Sequence, residues 1–441
     1  MSTAAESVTM PSRVIKVDAL ARVEGEGALY VRVKDNLVQD IKFRIFEPPR
    51  FFEALLRGRM YTDAPDITAR ICGICPVAYL LGASHAMENA LGVDIEGGTL
   101  RDLRRLMYCG EWIESHVLHT YLLHAPDFLG YEDALQLAKN HPGVVERALQ
   151  LKKLGNHILE VVAGRAVHPT NTRVGGFYKA PSAAKVKAMI GPLRQAIEDS
   201  VATIRLFATF TFPEYEDDYT FVAMYDPERY AIERGRIRSN RGLDIELPQF
   251  FDHFDEEHVA HSNALHGVAR GPHGPAYMVG PLARYALNYE QLTPLCKQLA
   301  VEAGLGPVVR NPFKSLTVRA IEVLYACQEA LRIVEAYQEP AEPCVALTPR
   351  AGVGFGCTEA PRGLCFHRYE LDAEGRIVSA RIVPPTAQNQ KQIEADLLGV
   401  VQANLDLSDE KLKWRCEQTI RNYDPCISCA THFLKLTVAR E

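Results

Sequence analysis

Apolar and polar residues alternate from Val14 to Phe46, in VIKVDALARVEGEGALYVRVKDNLVQDIKFRIF, and Lys34-Asp35-Asn36 interrupts the alternation where a turn would join paired strands. A small antiparallel sheet is predicted there. From about Asp63 the period lengthens. Apolar residues recur at steps of three and four through DAPDITARICGICPVAYLLGASHAMENALG, through LRDLRRLMYCGEWIESHVLHTYLLH, and through a stretch from Pro142 to about Gly164. The same spacing predicts helices near residues 180–207, 288–303, 316–338 and 387–422, and strand-like text returns near 364–383. Between about Phe212 and Gly280 the periodicity fades into acidic, aromatic and Gly/Pro-rich text such as FPEYEDDYTFVAMYDPERY, which predicts an irregular surface excursion rather than a linker. The expected fold class is mainly α with small β-sheets (α+β), in a single domain over residues 1–441.

Composition narrows the classes of function. In 441 residues, 47% hydrophobic and 24% charged is ordinary globular usage, neither disordered nor membrane-spanning, and no apolar run is long enough to cross a bilayer. A formal net charge of −6 offers no basic face for a phosphate backbone, so nucleic acid is not an expected partner. The opening MSTAAESVTMPSR lacks the charged start, apolar middle and cleavage site of a secretory signal, which makes a cytoplasmic location the expectation. Eleven cysteines are an odd number in a chain too large to need disulfide staples, and they point to reduced thiols used for metal binding or catalysis.

Four of these cysteines form two matched hooks. RICGICP carries Cys72 and Cys75, and DPCISCATH near the other end carries Cys426 and Cys429. Residues three apart on a helix, or at its first turn, share a face, so both sulfurs of a hook can address one ion. Two hooks complete a four-thiolate shell. A structural zinc site fits that shell, although zinc hooks usually lie about 15–20 residues apart and these are separated by about 350. Nickel and iron suit a sulfur-rich shell as well. Further candidates are Glu24 among the glycines of RVEGEG, Arg362 in the tight loop of APRG, and His432 three residues past Cys429. Taken singly, these fit a strand-face carboxylate, a surface turn and a tail histidine equally well.

Taken as a set, RVEGEG, PRFFEALLRGR, RICGICP, EAPRG and YDPCISCATH occur in an order that resembles the large subunit of nickel-iron hydrogenases over essentially the whole chain. The two cysteine motifs separate it from the related quinone-site subunit of respiratory complex I. The resemblance implies a central bundle of long helices and reversible heterolytic cleavage of H2. It implies Cys72 and Cys426 as terminal nickel ligands, with Cys75 and Cys429 bridging to an iron that carries carbonyl and cyanide. Cys426 would be the proton-accepting thiolate and Glu24 the next proton carrier, while Arg362 would stand over the open coordination position. Asp424 would hold that arginine, Thr386 in VPPTAQN would face a cyanide, and Pro361 would line the same shell. Glu53 and His432, with a backbone carbonyl, are implied ligands of a magnesium or ferrous ion near the C-terminus.

Several features refine that resemblance. Glu26, Tyr79, Ser115 and the proline of CGICPVAY depart from the membrane-linked members and resemble the soluble, bidirectional, NAD(P)-linked branch. Phe433–Glu441 resembles the tail removed by a maturation protease after metal-insertion factors have loaded nickel. The cysteines at 109, 296, 327, 344, 357, 365 and 416 show no cluster spacing, and Gly352, Gly354 and Gly356 meet Cys357 where a dinucleotide fingerprint needs its third glycine. The expected partners are therefore an iron-sulfur small subunit and flavin/NAD(P)-binding diaphorase-type subunits, with sulfur or polysulfide as the alternative electron acceptor. His116, His119, His124 and His168 are expected to be structural rather than metal ligands.

Overall fold

The alternating start folds as an antiparallel sheet, β1 (Arg13–Val17), β2 (Gly27–Lys34) and β3 (Leu37–Ile45), paired in that order. Asp35 and Asn36 make the β2–β3 turn with φ of 54° and 57°, a left-handed pair that short polar side chains tolerate and that matches the twist of paired strands. The alternation buries Ile15, Val17, Leu29, Val31, Val33, Phe43 and Ile45 on one face. The computed structural model describes residues 12–95, 97–272 and 274–432, so the tail expected at 433–441 lies outside the described residues.

After α1 (Phe52–Leu56) and α2 (Ala64–Ala69), the run predicted as helix from Asp63 is interrupted, and α3 covers Pro76–Leu91. The interruption is local chemistry. Pro76 disfavours helical backbone in the residue before it, and Cys75 accordingly sits at φ −118°, ψ 47° as the residue preceding α3. Gly92, at φ 66°, ends α3. The first hook thus occupies the break between two helices.

The expected long-helix bundle is present: α4 (Gly98–Val117), α5 (Pro142–Ala163), α6 (Ile190–Phe207) and α7 (Ser315–Ala336), with α4 packed on α5 and α7, and α7 on α6. Where α4 crosses α5 the backbones touch, and a Cβ on Gly155 would lie 2.7 Å from the Gly110 carbonyl oxygen. A π-helical turn, Leu118–His124, continues α4.

Residues 212–280 correct the sequence expectation. They are not a surface excursion: β4 (Val222–Tyr225) pairs with β5 (Arg236–Ser239), β6 (Phe254–Glu257) pairs with β7 (His266–Ala269), and Val222, Met224, Ile237, Phe250 and Phe254 are buried in a second apolar cluster. These strands are only four residues long, too short to establish a recognisable period. The helix expected over 288–303 is two pieces, Pro281–Asn288 and Pro294–Glu302; the second starts at a proline with Thr293 Oγ1 accepting the Cys296 N–H.

A further sheet follows, β8 (Gly352–Ala360), β9 (Gly363–Leu371) and β10 (Ile377–Val383), of which the sequence pattern revealed only the last two strands. β8 lies against α3 so closely that a Cβ on Gly354 would stand 1.9 Å from the Ala86 carbonyl oxygen and one on Gly356 2.2 Å from that of Gly82. The expected helix over 387–422 is likewise two, α8 (Pro385–Ala403) and α9 (Asp409–Arg421), with Ser408 capping the second. The last element among the described residues is α10 (Ile427–Ala430). Among the described residues, no helix is long and apolar enough to cross a membrane.

Candidate metal centre

Both hooks sit where chain breaks meet helix starts. Cys72 lies in the loop before α3 and Cys75 immediately precedes it; Cys426 precedes α10 and Cys429 lies within it. The four buried sulfurs come within 4.8 Å of one another. Cys72 Sγ is 3.5 Å from Cys426 Sγ, Cys75 Sγ 3.7 Å from Cys429 Sγ, and the two C-terminal sulfurs are 2.7 Å apart. The roughly 350-residue separation in sequence is closed by the fold.

The chain supplies fixed supports for this convergence. Glu24 forms a parallel bridge with Cys426, its carbonyl accepts the Ile427 N–H at 3.0 Å, and its carboxylate accepts the Ser428 N–H at 3.0 Å. Ser428 Oγ in turn donates to Glu47 at 3.4 Å. Thr386, in the first turn of α8, accepts the Cys426 N–H through its hydroxyl at 3.1 Å. Arg362, in the β8–β9 turn beside Pro361, donates to the Asp424 carbonyl at 2.6 Å and to its carboxylate at 3.1 Å. Arg362 Nη1 and Asp424 Oδ2 are buried with no hydrogen-bond partner.

Two supports escaped the sequence reading. Arg50 Nη2 donates to the Ile71 carbonyl at 2.8 Å and also to the Ser428 carbonyl, so one guanidinium ties the residue beside Cys72 to the residue beside Cys429. The buried Glu111 carboxylate accepts the N–H groups of Val77 at 2.6 Å and Ala78 at 3.2 Å, and so caps α3 directly after Cys75. Both residues act on backbone atoms, which leaves no spacing signal. PRFFEALLRGR contains Arg50, and that is the one clue the sequence offers.

The electrostatics suit a cation. Hydrogen bonds shared first with Cys426, then with Cys429 and Cys75, hold the Cys72 thiol well below the usual range, and the Arg362 charge adds to them. The Ile74 and Cys75 N–H groups also donate to Cys72 Sγ, at 3.3 and 3.2 Å. Burial pushes Cys426 and Cys429 well up. A metal ion is what allows several such thiols to be anionic together. Glu114, ion-paired to Lys152 at 3.1 Å, is pushed up to about 7 by burial. It neighbours Ser115, whose hydroxyl is buried and has no hydrogen-bond partner.

A second convergence lies beside α10. His432 Nδ1 is 2.7 Å from the Cys429 carbonyl, its Nε2 is 2.7 Å from the Ile382 carbonyl and 3.8 Å from Glu53 Oε1, and that carboxylate accepts the Ile382 N–H at 2.8 Å. The Ile382 carbonyl is thus a backbone oxygen beside Glu53 and His432, which the sequence left unplaced. His119 Nε2 meets the Arg421 carbonyl at 2.8 Å, and His168 Nδ1 the Ala69 carbonyl at 2.8 Å. Among the described residues, His116, His119 and His124 do not converge as a ligand set.

Comparison with known proteins accords with this geometry. The nickel-dependent hydrogenase family matches residues 50–146 and 270–432. The chain is 34% identical to sulfhydrogenase 1 subunit alpha of Pyrococcus furiosus over 427 residues, covering 96% of this chain and 98% of that one. It is 28% identical to the NAD-reducing hydrogenase HoxS subunit beta of Cupriavidus necator, covering 96% and 95% respectively. A crystal structure of an NAD+-reducing [NiFe]-hydrogenase in the H2-reduced state superposes with a TM-score of 0.86 at 26% identity, over 95% of this chain and 99% of that one. With four buried thiols gathered from both ends of the polypeptide and this breadth of similarity, the chain belongs to the nickel-dependent hydrogenase family, as a catalytic subunit.

Proposed function

We propose that Cys72, Cys75, Cys426 and Cys429 hold a nickel-iron pair, with Cys72 and Cys426 terminal on nickel and Cys75 and Cys429 bridging to an iron bearing carbonyl and cyanide, and that the chain cleaves H2 reversibly. The observation that carries this reading is the four-sulfur convergence within electrostatic reach of a buried guanidinium with an unpartnered nitrogen. The donors fit: four soft ligands suit nickel and iron, and Arg362 Nη1 is a donor with no acceptor among the described residues.

When bound, the pair supplies the two-electron chemistry by which H2 yields two protons and two electrons. Cys426 Sγ takes the first proton, since a metal-held thiolate is a base near neutral pH. Glu24, locked beside Cys426 by its backbone bridge, receives that proton, and Ser428 and Glu47 extend the polar path outward. Arg362, oriented by Asp424 and flanked by Pro361, directs fixed positive charge and Nη1 at the ligand position. Thr386 spends its acceptor on the Cys426 N–H and keeps its hydroxyl proton for a cyanide. Glu53, His432 and the Ile382 carbonyl would hold magnesium or ferrous iron.

Electrons leave through an iron-sulfur small subunit to flavin/NAD(P)-binding diaphorase-type subunits, in the cytoplasm, after a protease has removed 433–441. The likeness to an NAD+-reducing enzyme supports that acceptor. Sulfur or polysulfide is a second reading, favoured by the 34% identity to a sulfhydrogenase subunit. The purified complex should contain one nickel per catalytic chain, with iron in excess because the clusters of the small subunit add to it, and show carbonyl and cyanide infrared bands; zinc in place of nickel with a silent infrared spectrum would refute the assignment. Hydrogen-dependent NAD(P)+ reduction, set against sulfide production, separates the acceptors.

A further inference from the structure

Among the described residues, one other group of ligand-type side chains converges. His261, His266 and Glu394 each place a ligand atom within 4.8 Å of the others. They come from three places: His261 from the β6–β7 loop, His266 from the first position of β7, and Glu394 from the third turn of α8. Glu394 Oε1 lies 2.7 Å from His261 Nε2 and accepts the Phe43 N–H of β3 at 2.9 Å. The His261 and His266 rings stand at 87° to one another with centroids 5.6 Å apart.

The second observation concerns His266 alone. It is 1% exposed, and neither ring nitrogen has a hydrogen-bond partner. A buried imidazole with both nitrogens idle is uncommon in native structures, because its donor and acceptor have both given up water for nothing. A cation would use the lone pair of one ring nitrogen, and a His266 nitrogen lies within 4.8 Å of a His261 nitrogen and a Glu394 carboxylate oxygen.

We propose that His261, His266 and Glu394 form a second metal site, taking a borderline divalent cation of the zinc type and pinning the β6–β7 loop to α8. Two imidazoles and one carboxylate match zinc and its neighbours, whereas magnesium and calcium prefer all-oxygen shells. Three protein ligands leave one position open. That position suits water or an anion, because the site borders a cavity of about 450 Å³ lined by Tyr30, Lys42, Arg44, Ala260 and His261. Of the basic groups nearby, Lys42 is paired with Asp40 at 2.6 Å and Lys391 with Glu257, while Arg44 lines the open side where an anion would sit. The clamp acts on the helix whose first turn carries Thr386, so it steadies α8 without touching the thiolate cluster.

The test counts metals in the purified complex after zinc loading and dialysis. Wild type should hold one zinc equivalent beyond its nickel and iron, and H261A and H266A should each lose it while nickel and iron stay unchanged. E394Q, which keeps the shape of the side chain, should weaken zinc by more than about tenfold in competition with a chromophoric chelator, since even outer-shell changes reach that scale. Should the histidine variants misfold, cobalt(II) added to wild type should give a visible absorption band that zinc abolishes. The proposal is overturned if wild type retains no zinc and gives no cobalt band, or if the zinc equivalent survives in H261A and H266A. Wild type that lacks nickel yet holds a zinc equivalent that H261A and H266A lose would count against the nickel-iron assignment alone.

Discussion

At the scale of single residues, the centre is held by side chains that bind backbone. Glu24, Thr386, Arg50 and Glu111 each fix an N–H or carbonyl at or within two residues of a cysteine, so main-chain contacts of the chain itself help to position the sulfurs. Glu24 carries the sharpest prediction at this scale. E24Q keeps an acceptor for Ser428 N–H but cannot accept and release a proton, so hydrogen turnover should fall by about 10²-fold or more with nickel and iron content unchanged; undiminished H2/D2 exchange would remove Glu24 from the path. R50A should instead lower nickel retention on dialysis, since it unties both hooks together. The cysteines, Glu24, Arg362 and His432 were legible because they sit in dense motifs, whereas Arg50 and Glu111 were not, because what they bind is main chain. His367 gives a pH signature. Burial pushes its imidazole down to about 3 in the folded protein, against about 6.5 when unfolded, so the unfolded chain binds the extra proton throughout that interval. Stability from this group is complete above pH 6.5 and is lost as the pH falls towards 3. H367Q should flatten the acid side of a melting-temperature profile, and an unchanged acid slope would show that other groups control it.

At the scale of elements, helices with clean end signals were readable and short strands were not. Residues 142–164 matched α5 because Pro142 opens it and Gly164, at φ 82°, closes it. β8 was missed because GVGFGCTEA lacks a β-branched alternation; its glycines face the backbone of α3, and that close approach is a tertiary fact. The same contact makes β8 a mechanical support for the first hook, since α3 begins directly after Cys75. G354A would force a methyl group to within 1.9 Å of the Ala86 carbonyl oxygen unless the strand shifts. The expected cost is about 1–3 kcal/mol, read as a lower melting temperature with weaker nickel binding. A silent G354A would mean that β8 and α3 are less tightly joined than their geometry requires.

At the scale of the whole molecule, the fold brings early and late segments of the described residues to one place. The main apolar cluster takes residues from Ile15 through Ala430, and Arg13 binds the Leu405 and Leu407 carbonyls at 3.0 and 2.7 Å. The bundle of α4, α5, α6 and α7 and the terminal sheet are the frame against which both hooks close. Metal loading should therefore protect residues 12–60 and 385–432 from amide exchange together, because the ion binds only the closed arrangement; protection confined to one end would mean the ends close independently. The helical character and the paired hooks were visible in the sequence, but the enclosure of 212–280 was not, since burial there depends on strands four residues long. The most direct measurement of the central claim is nickel-edge X-ray absorption on the purified complex. The account predicts a nickel shell of four sulfur ligands that loses sulfur in C72S and in C426S alike. A shell dominated by nitrogen or oxygen, or one indifferent to substitution at either end of the chain, would contradict it.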